Sequence, residues 1–148
     1  MQREIHTEAA MLAFGDVLAK ALLPGSVVCL EGDLGVGKTT LCRGIMAGLG
    51  FFGKVRSPTY TLVEPYEANG QRVFHFDLYR LGDPEELEYM GYRDYFDATG
   101  ICLVEWPERG KGLLPTPDLV VQITADAGTR SVGLSANGSK GSIIINQL

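Results

Sequence analysis

Apolar side chains at Ala10, Ala13, Phe14, Val17, Leu18 and Ala21 recur at three- and four-residue intervals behind Thr7. That spacing predicts an amphipathic first helix, capped by the threonine hydroxyl and stopped at Pro24-Gly25. Val27-Val28-Cys29-Leu30 is uninterrupted apolar and reads as a buried strand. It runs into Gly32-Asp33-Leu34-Gly35-Val36-Gly37, after which a second helical pattern extends from Lys38 to Leu49. Thr59 to Tyr66 and Gln71 to Asp77 are strand-like, and Asn69-Gly70 between them is a hairpin turn. Asp83-Pro84-Glu85-Glu86 carries a cap, a first-turn proline and a capping-box glutamate, so a short helix starts there. Ile101-Cys102-Leu103-Val104 is a second continuous apolar run, ending in Glu105-Trp106-Pro107. Leu119 to Thr124, Arg130 to Ser135 and Ser142 to Asn146 read as three further strands.

Helices alternating with apolar strands, plus a hairpin and a β-rich tail, predict an α/β fold. Its sheet is mixed, with a parallel centre, antiparallel additions and flanking helices. No linker or repeat divides residues 1–148, so one domain is expected.

Composition narrows the chemistry. Thirteen Lys plus Arg against 18 Asp plus Glu leave a net charge of -5, which argues against sequence-independent grip on a phosphate backbone. Cys29, Cys42 and Cys102 are an odd set without C-x-x-C spacing and sit among apolar residues, as reduced core thiols do. Only His6 and His75 accompany them, so no zinc cluster is expected. The N-terminus lacks the basic head and apolar run of a signal, and no apolar stretch approaches membrane-spanning length. A cytoplasmic setting without membrane contact is therefore expected. Glycine supplies 19 of the 148 residues, well above its usual share, and its densest cluster is the most informative segment.

Gly32-x-x-x-x-Gly37-Lys38-Thr39 satisfies the Walker A spacing. Glycines let such a loop wrap phosphate oxygens with its main-chain N–H groups, and the helix behind it adds oriented donors. Asp33, Leu34, Gly35, Val36, Gly37, Lys38, Thr39 and Thr40 are thus candidate nucleotide contacts, with Lys38 on the terminal phosphates and the Thr39 hydroxyl on Mg²⁺. The strand–loop–helix setting predicts a P-loop NTPase-like domain. A carboxylate at a strand end must complete the metal shell, and Asp77 and Glu105 are available. The run before Glu105 is that of an inner strand, whereas the Asp77 strand alternates and belongs to a hairpin, so Glu105 is assigned to the metal. Asp77 is then free to orient or deprotonate the attacking water. No Asn-Lys-x-Asp guanine-reading element occurs, which points to ATP. Trp106, the single tryptophan, either packs against the nucleotide or fills the core.

Together the blocks Gly32 to Thr40, Ser57-Pro58-Thr59-Tyr60-Thr61-Leu62-Val63, His75-Phe76-Asp77-Leu78-Tyr79-Arg80 and Val104-Glu105-Trp106-Pro107 resemble the TsaE (YjeE) family. The resemblance implies a small ATPase needed, with partner proteins TsaB and TsaD, to form threonylcarbamoyladenosine beside the anticodon of tRNAs reading codons that begin with A. Contact with tRNA would be indirect, through TsaD. It also implies Lys38 on phosphate, Thr39 and Glu105 on Mg²⁺, Asp77 near the hydrolytic water, Trp106 close to adenine, a switch-like Ser57-Pro58-Thr59 loop and a role for Thr7 near the base. Contacts in the C-terminal strands, for example from Arg130, are less distinctive.

Two other function classes fit a P-loop: a small-molecule kinase, for which no Arg-rich lid is evident, and a nucleotide-gated binding module. Arg80 is the best internal candidate for an arginine finger. Asp83 to Asp97 holds six acids against Arg93. This is either a solvated face or a docking surface for a basic partner, with Tyr89, Met90, Tyr92, Tyr95 and Phe96 as anchors.

Overall fold

The computed structural model describes residues 1–148. Seven strands, β1 (Gln2–Ile5), β2 (Val27–Glu31), β3 (Val63–Ala68), β4 (Gln71–Asp77), β5 (Ile101–Glu105), β6 (Leu119–Asp126) and β7 (Thr129–Ala136), form one sheet ordered β1-β7-β6-β2-β5-β4-β3. The four central strands β6, β2, β5 and β4 are parallel. Antiparallel pairings add β3 at one edge and β7 and β1 at the other. The expected mixed sheet is therefore present. Helices α1 (Glu8–Ala21), α2 (Lys38–Gly48), α3 (Glu85–Tyr89) and α4 (Gly138–Asn146) complete the chain.

The uninterrupted apolar runs are explained by burial on both faces. Along β5, Ile101 and Leu103 join a core with Phe14, Leu18, Leu41 and Ile45 of α1 and α2. Cys102 and Val104 join a second core with Phe74, Phe76, Leu87 and Tyr92 on the opposite face. Thr7 caps α1 as expected, its hydroxyl accepting from the Ala10 N–H at 3.0 Å. The buried stripe is Met11, Phe14, Gly15, Leu18 and Ala19; Ala13 and Val17 are exposed. Asn69 and Gly70 both have positive φ, 53° and 79°, the geometry that a two-residue hairpin needs.

Four expectations are corrected. Ser142 to Asn146 lies in helix α4, not a strand. Its β-branched run suggests a strand, but Ile144 is buried among residues of the α1 and β7 layer, and packing overrides propensity. Thr59 to Leu62 is a turn rather than the start of β3: the Leu62 N–H donates to the Pro58 carbonyl at 2.8 Å, and Leu62 takes φ 68°. Strand β4 does not alternate, since every residue from Val73 to Asp77 is buried and the strand lies inside the sheet between β3 and β5. The aromatic residues of the acidic segment are mostly internal: Tyr92 is buried, Tyr95 packs edge-on against Phe74 and Phe76, and Phe96 stacks on Phe76.

The acids there are largely engaged as well. Asp83 accepts from the Glu85 N–H and Glu86 from the Asp83 N–H, which is the predicted capping box. Glu88 pairs with Arg93 and Asp97 with Arg72. Strand β1 went unread because Gln2, Arg3 and Glu4 are exposed at the sheet edge and only Ile5 is buried.

No helix is long and apolar enough to cross a membrane.

Candidate functional site

Because β2, β4 and β5 are parallel, their carboxyl ends lie along one edge of the sheet, where ligands of open α/β sheets bind. Register brings three predicted elements together there. Leu30 of β2 is paired with Glu105, and Asp77 of β4 is paired with the same Glu105.

The Gly32–Gly37 loop connects β2 to α2. At Gly32 a Cβ would lie 2.5 Å from the Ile123 carbonyl oxygen, and φ is 149°, so only glycine lets the chain leave the strand here. Val36 is buried and anchors the loop, while Leu34 is 64% exposed and lines the cleft beside Lys38. The N–H groups of Gly35, Gly37, Lys38, Thr39 and Thr40 donate to no acceptor within the chain. A row of free donors at the start of a helix is a site for an anion.

Lys38 is buried and its ammonium donates to the Gly32 carbonyl. Nζ also sits 3.5 Å from the centre of the Trp106 ring, in cation–π contact. Burial holds the ammonium below its ordinary range, while Glu105, Glu108, Asp77 and Asp33 pull in the opposite direction. Trp106 itself has φ 58°, a strained conformation for a non-glycine residue that costs about 1–3 kcal/mol. It places the indole in the cleft, beside Tyr79 at 4.9 Å between ring centres.

Glu105 is 2% exposed. Such a carboxylate must be paired or hydrogen-bonded, and it is: the Thr39 hydroxyl lies 3.2 Å from each oxygen, and His75 Nε2 lies 2.6 Å from Oε2. Cys42 is close by, since Cys42, His75 and Glu105 each offer one ligand-type atom within 4.8 Å of the others. Spacing of 63 residues from Cys42 to Glu105 hides this grouping from sequence reading. Burial, with Glu105 and Asp77 next, holds the Cys42 thiol well above its usual range; burial likewise pushes Cys29 and Cys102 to about 12.

Asp77 accepts from the Tyr79 N–H at 3.0 Å. Burial raises its pKa above the usual carboxylate value and neighbouring Glu105 adds to the rise, against the Tyr79 hydrogen bond and the charges of His75 and Lys38.

Two clefts flank the loop. One, of about 420 Å³, is lined by Lys38, Thr39, Asp77, Arg80, Glu105 and Trp106, with Ser57 and Thr59 at its edge. The other, of about 200 Å³, is lined by Thr7, Val36, Gly128 and Arg130. Gly35, Gly37 and Thr40 belong to both, so the loop runs between them. Trp106 lines the carboxylate cleft, on the far side of the loop from Thr7 and Arg130. Arg130 is a residue that the motifs did not reach; its Nε donates to the Val36 carbonyl at 3.0 Å. Ser57 Oγ and Thr59 Oγ1 are 2.6 Å apart, and Arg80 lies over the exposed Tyr60 ring at 4.8 Å.

Residues 5–132 match the model of the family described as threonylcarbamoyl adenosine biosynthesis protein TsaE. The Haemophilus influenzae tRNA threonylcarbamoyladenosine biosynthesis protein TsaE is 50% identical over 147 residues, covering 96% of this chain and 93% of that protein. The Bacillus subtilis protein of the same name is 36% identical, covering 92% and 85%. The crystal structure of Bacillus subtilis YdiB superposes with a TM-score of 0.85 at 30% identity, covering 99% of this chain and 92% of that one. With half its residues shared along nearly the whole of a named relative, and the loop, both carboxylates and Trp106 inside the matched span, this chain belongs to the TsaE family.

Proposed function

We propose that the protein binds ATP with Mg²⁺ across this loop and hydrolyses it, in service of threonylcarbamoyladenosine formation on tRNA together with TsaB and TsaD. The observation that carries the reading is the convergence of Lys38, the Thr39 hydroxyl and the Glu105 carboxylate beside five unengaged main-chain N–H groups. Thr39 and Glu105 offer hard oxygen donors facing one another, which suits Mg²⁺ completed by phosphate oxygens and water. When bound, the cation would neutralise charge developing on the phosphates. Lys38 leaves Gly32 and Trp106 to meet the terminal phosphates. Asp77, with a pKa already above that of a free carboxylate, orients the attacking water or takes its proton. The nucleoside end passes over Thr40 into the second cleft, where Thr7 and Arg130 hold it, and Trp106 stands at the phosphate end rather than against adenine.

The family and the relatives' names support a role in threonylcarbamoyladenosine biosynthesis; the partnership with TsaB and TsaD, and a cytoplasmic setting with three reduced thiols, belong to the proposed reading. Phosphate release from ATP·Mg²⁺ tests it, measured for this protein alone and with purified TsaB and TsaD, with Lys38→Ala as the blank. Stimulation by the pair that vanishes in the variant is the expected result. Unchanged release with the pair refutes partner-activated hydrolysis. A nucleotide-gated binding module is favoured by one observation, the exposed Tyr60 and Arg80 at the mouth of the phosphate cleft. Asp77→Ala separates the two, since a pure binding module would still complement a strain lacking the gene.

A further inference from the structure

We propose that His75 is a positioning residue for the cation site: it holds the Glu105 carboxylate in the orientation that meets Mg²⁺. The inference rests on the ATP·Mg²⁺ reading above.

His75 occupies the middle of β4, between Phe74 and Phe76, and is wholly buried. A polar ring in such a strand costs stability unless it is hydrogen-bonded, and an apolar side chain would fill the space without that cost. Its single partner is Glu105, at 2.6 Å from Nε2 to Oε2. Nδ1 is buried with no partner at all. The carboxylate can only accept, so Nε2 is the nitrogen that donates to it. A histidine serving the core alone would have both nitrogens satisfied; here one is sacrificed so that the other reaches Glu105.

The rest of the surroundings restrict Glu105 further. Cys42 stands within 4.8 Å of both groups. The direct bond between His75 and Glu105 leaves no room for an ion between them, so the trio is a bracket behind the carboxylate, not a second metal site. Thr39, at 3.2 Å from each oxygen, is then the neighbour on the cleft side. Partners behind a metal ligand fix its orientation, and their loss typically costs about 10–100-fold in metal affinity.

The test uses the full chain with ADP and Mn²⁺ in place of Mg²⁺, free Mn²⁺ being followed by electron paramagnetic resonance and ADP affinity being measured separately in EDTA. His75→Leu is expected to weaken Mn²⁺ binding by about 10–100-fold while leaving cation-free ADP affinity within about twofold. His75→Gln, whose amide can donate from near the Nε2 position, recovers most of that loss. His75→Asn, whose amide reaches only as far as Nδ1, does not. The proposal is overturned if His75→Leu holds Mn²⁺ as tightly as the parent, or if the glutamine variant loses as much as the asparagine variant. The Gln and Asn pair carries the test should the leucine variant fail to fold. If the parent takes up no Mn²⁺ with ADP, and Glu105→Gln changes nothing, the cation-site reading itself falls and takes this inference with it.

Discussion

The ammonium of Lys38 rests 3.5 Å from the centre of the Trp106 ring while donating to the carbonyl of Gly32. The same lysine that would meet the phosphates is thus held by its own loop and by the single tryptophan of the chain. On the proposed function, bound phosphate would draw it away, and the indole would then lose a cation from its face. Titration with ADP·Mg²⁺ is expected to change the intrinsic tryptophan fluorescence saturably, whereas Lys38→Ala starts from an altered emission and shows no saturable change. A parent protein whose emission is indifferent to nucleotide at concentrations that bind by calorimetry contradicts this coupling.

Asp77→Asn is expected to lower phosphate release by about 10²–10⁴-fold, the usual worth of a positioned acid–base group, with nucleotide affinity preserved. Its effect on stability has the opposite sign. Because the folded-state pKa of Asp77 is raised above the ordinary 3.8, the folded form favours the proton. The parent therefore loses stability as pH rises through that folded value, and the loss is absent below the unfolded value. Thermal unfolding should show the asparagine variant more stable than the parent at pH 7, with the advantage gone near pH 3. A variant less stable at both pH values contradicts the burial argument.

Arg130 lines the second cleft and donates to the carbonyl of Val36 in the loop. Arg130→Gln should weaken ADP binding about tenfold, the scale of one hydrogen bond from a charged donor. Pyrophosphate, which has no nucleoside to occupy that cleft, should lose less. Equal losses for the two ligands by calorimetry would assign Arg130 to loop support alone.

Helix α4 passes so close to the start of β6 that a Cβ on Gly141 would lie 1.9 Å from the carbonyl oxygen of Asp118, the residue before that strand. Gly141→Ala must push the helix off the sheet, costing about 1–3 kcal/mol and roughly 3–10 °C in Tm for a domain of this size. The Gly32–Gly37 loop follows the carboxyl end of β2, whereas Asp118 precedes the amino end of the parallel strand β6, so ADP affinity at 20 °C should stay within about twofold of the parent, a scale below 0.5 kcal/mol. Loss of ADP binding in a folded variant would count against that independence.

Local order in the chain was enough for much of this protein. The loop spacing from Gly32 to Thr39, the apolar runs of β2 and β5, the Thr7 cap and the Asn69-Gly70 turn are each set within a few residues, because dihedral preference, capping and strand patterning act at that range. The order of motifs along the chain was enough to point to the family. Other features depend on groups far apart in sequence. The bond from His75 to Glu105 spans 30 residues and that from Arg130 to Val36 spans 94; both exist only because parallel pairing and a β6–β7 return bring those strands to one edge. Burial decided the rest. It made a helix of Ser142 to Asn146, turned the aromatic residues of the acidic segment inward, and set Trp106 over Lys38. Each outcome reflects which surfaces could be removed from water together, a property of the assembled sheet and helices that no short stretch of sequence contains.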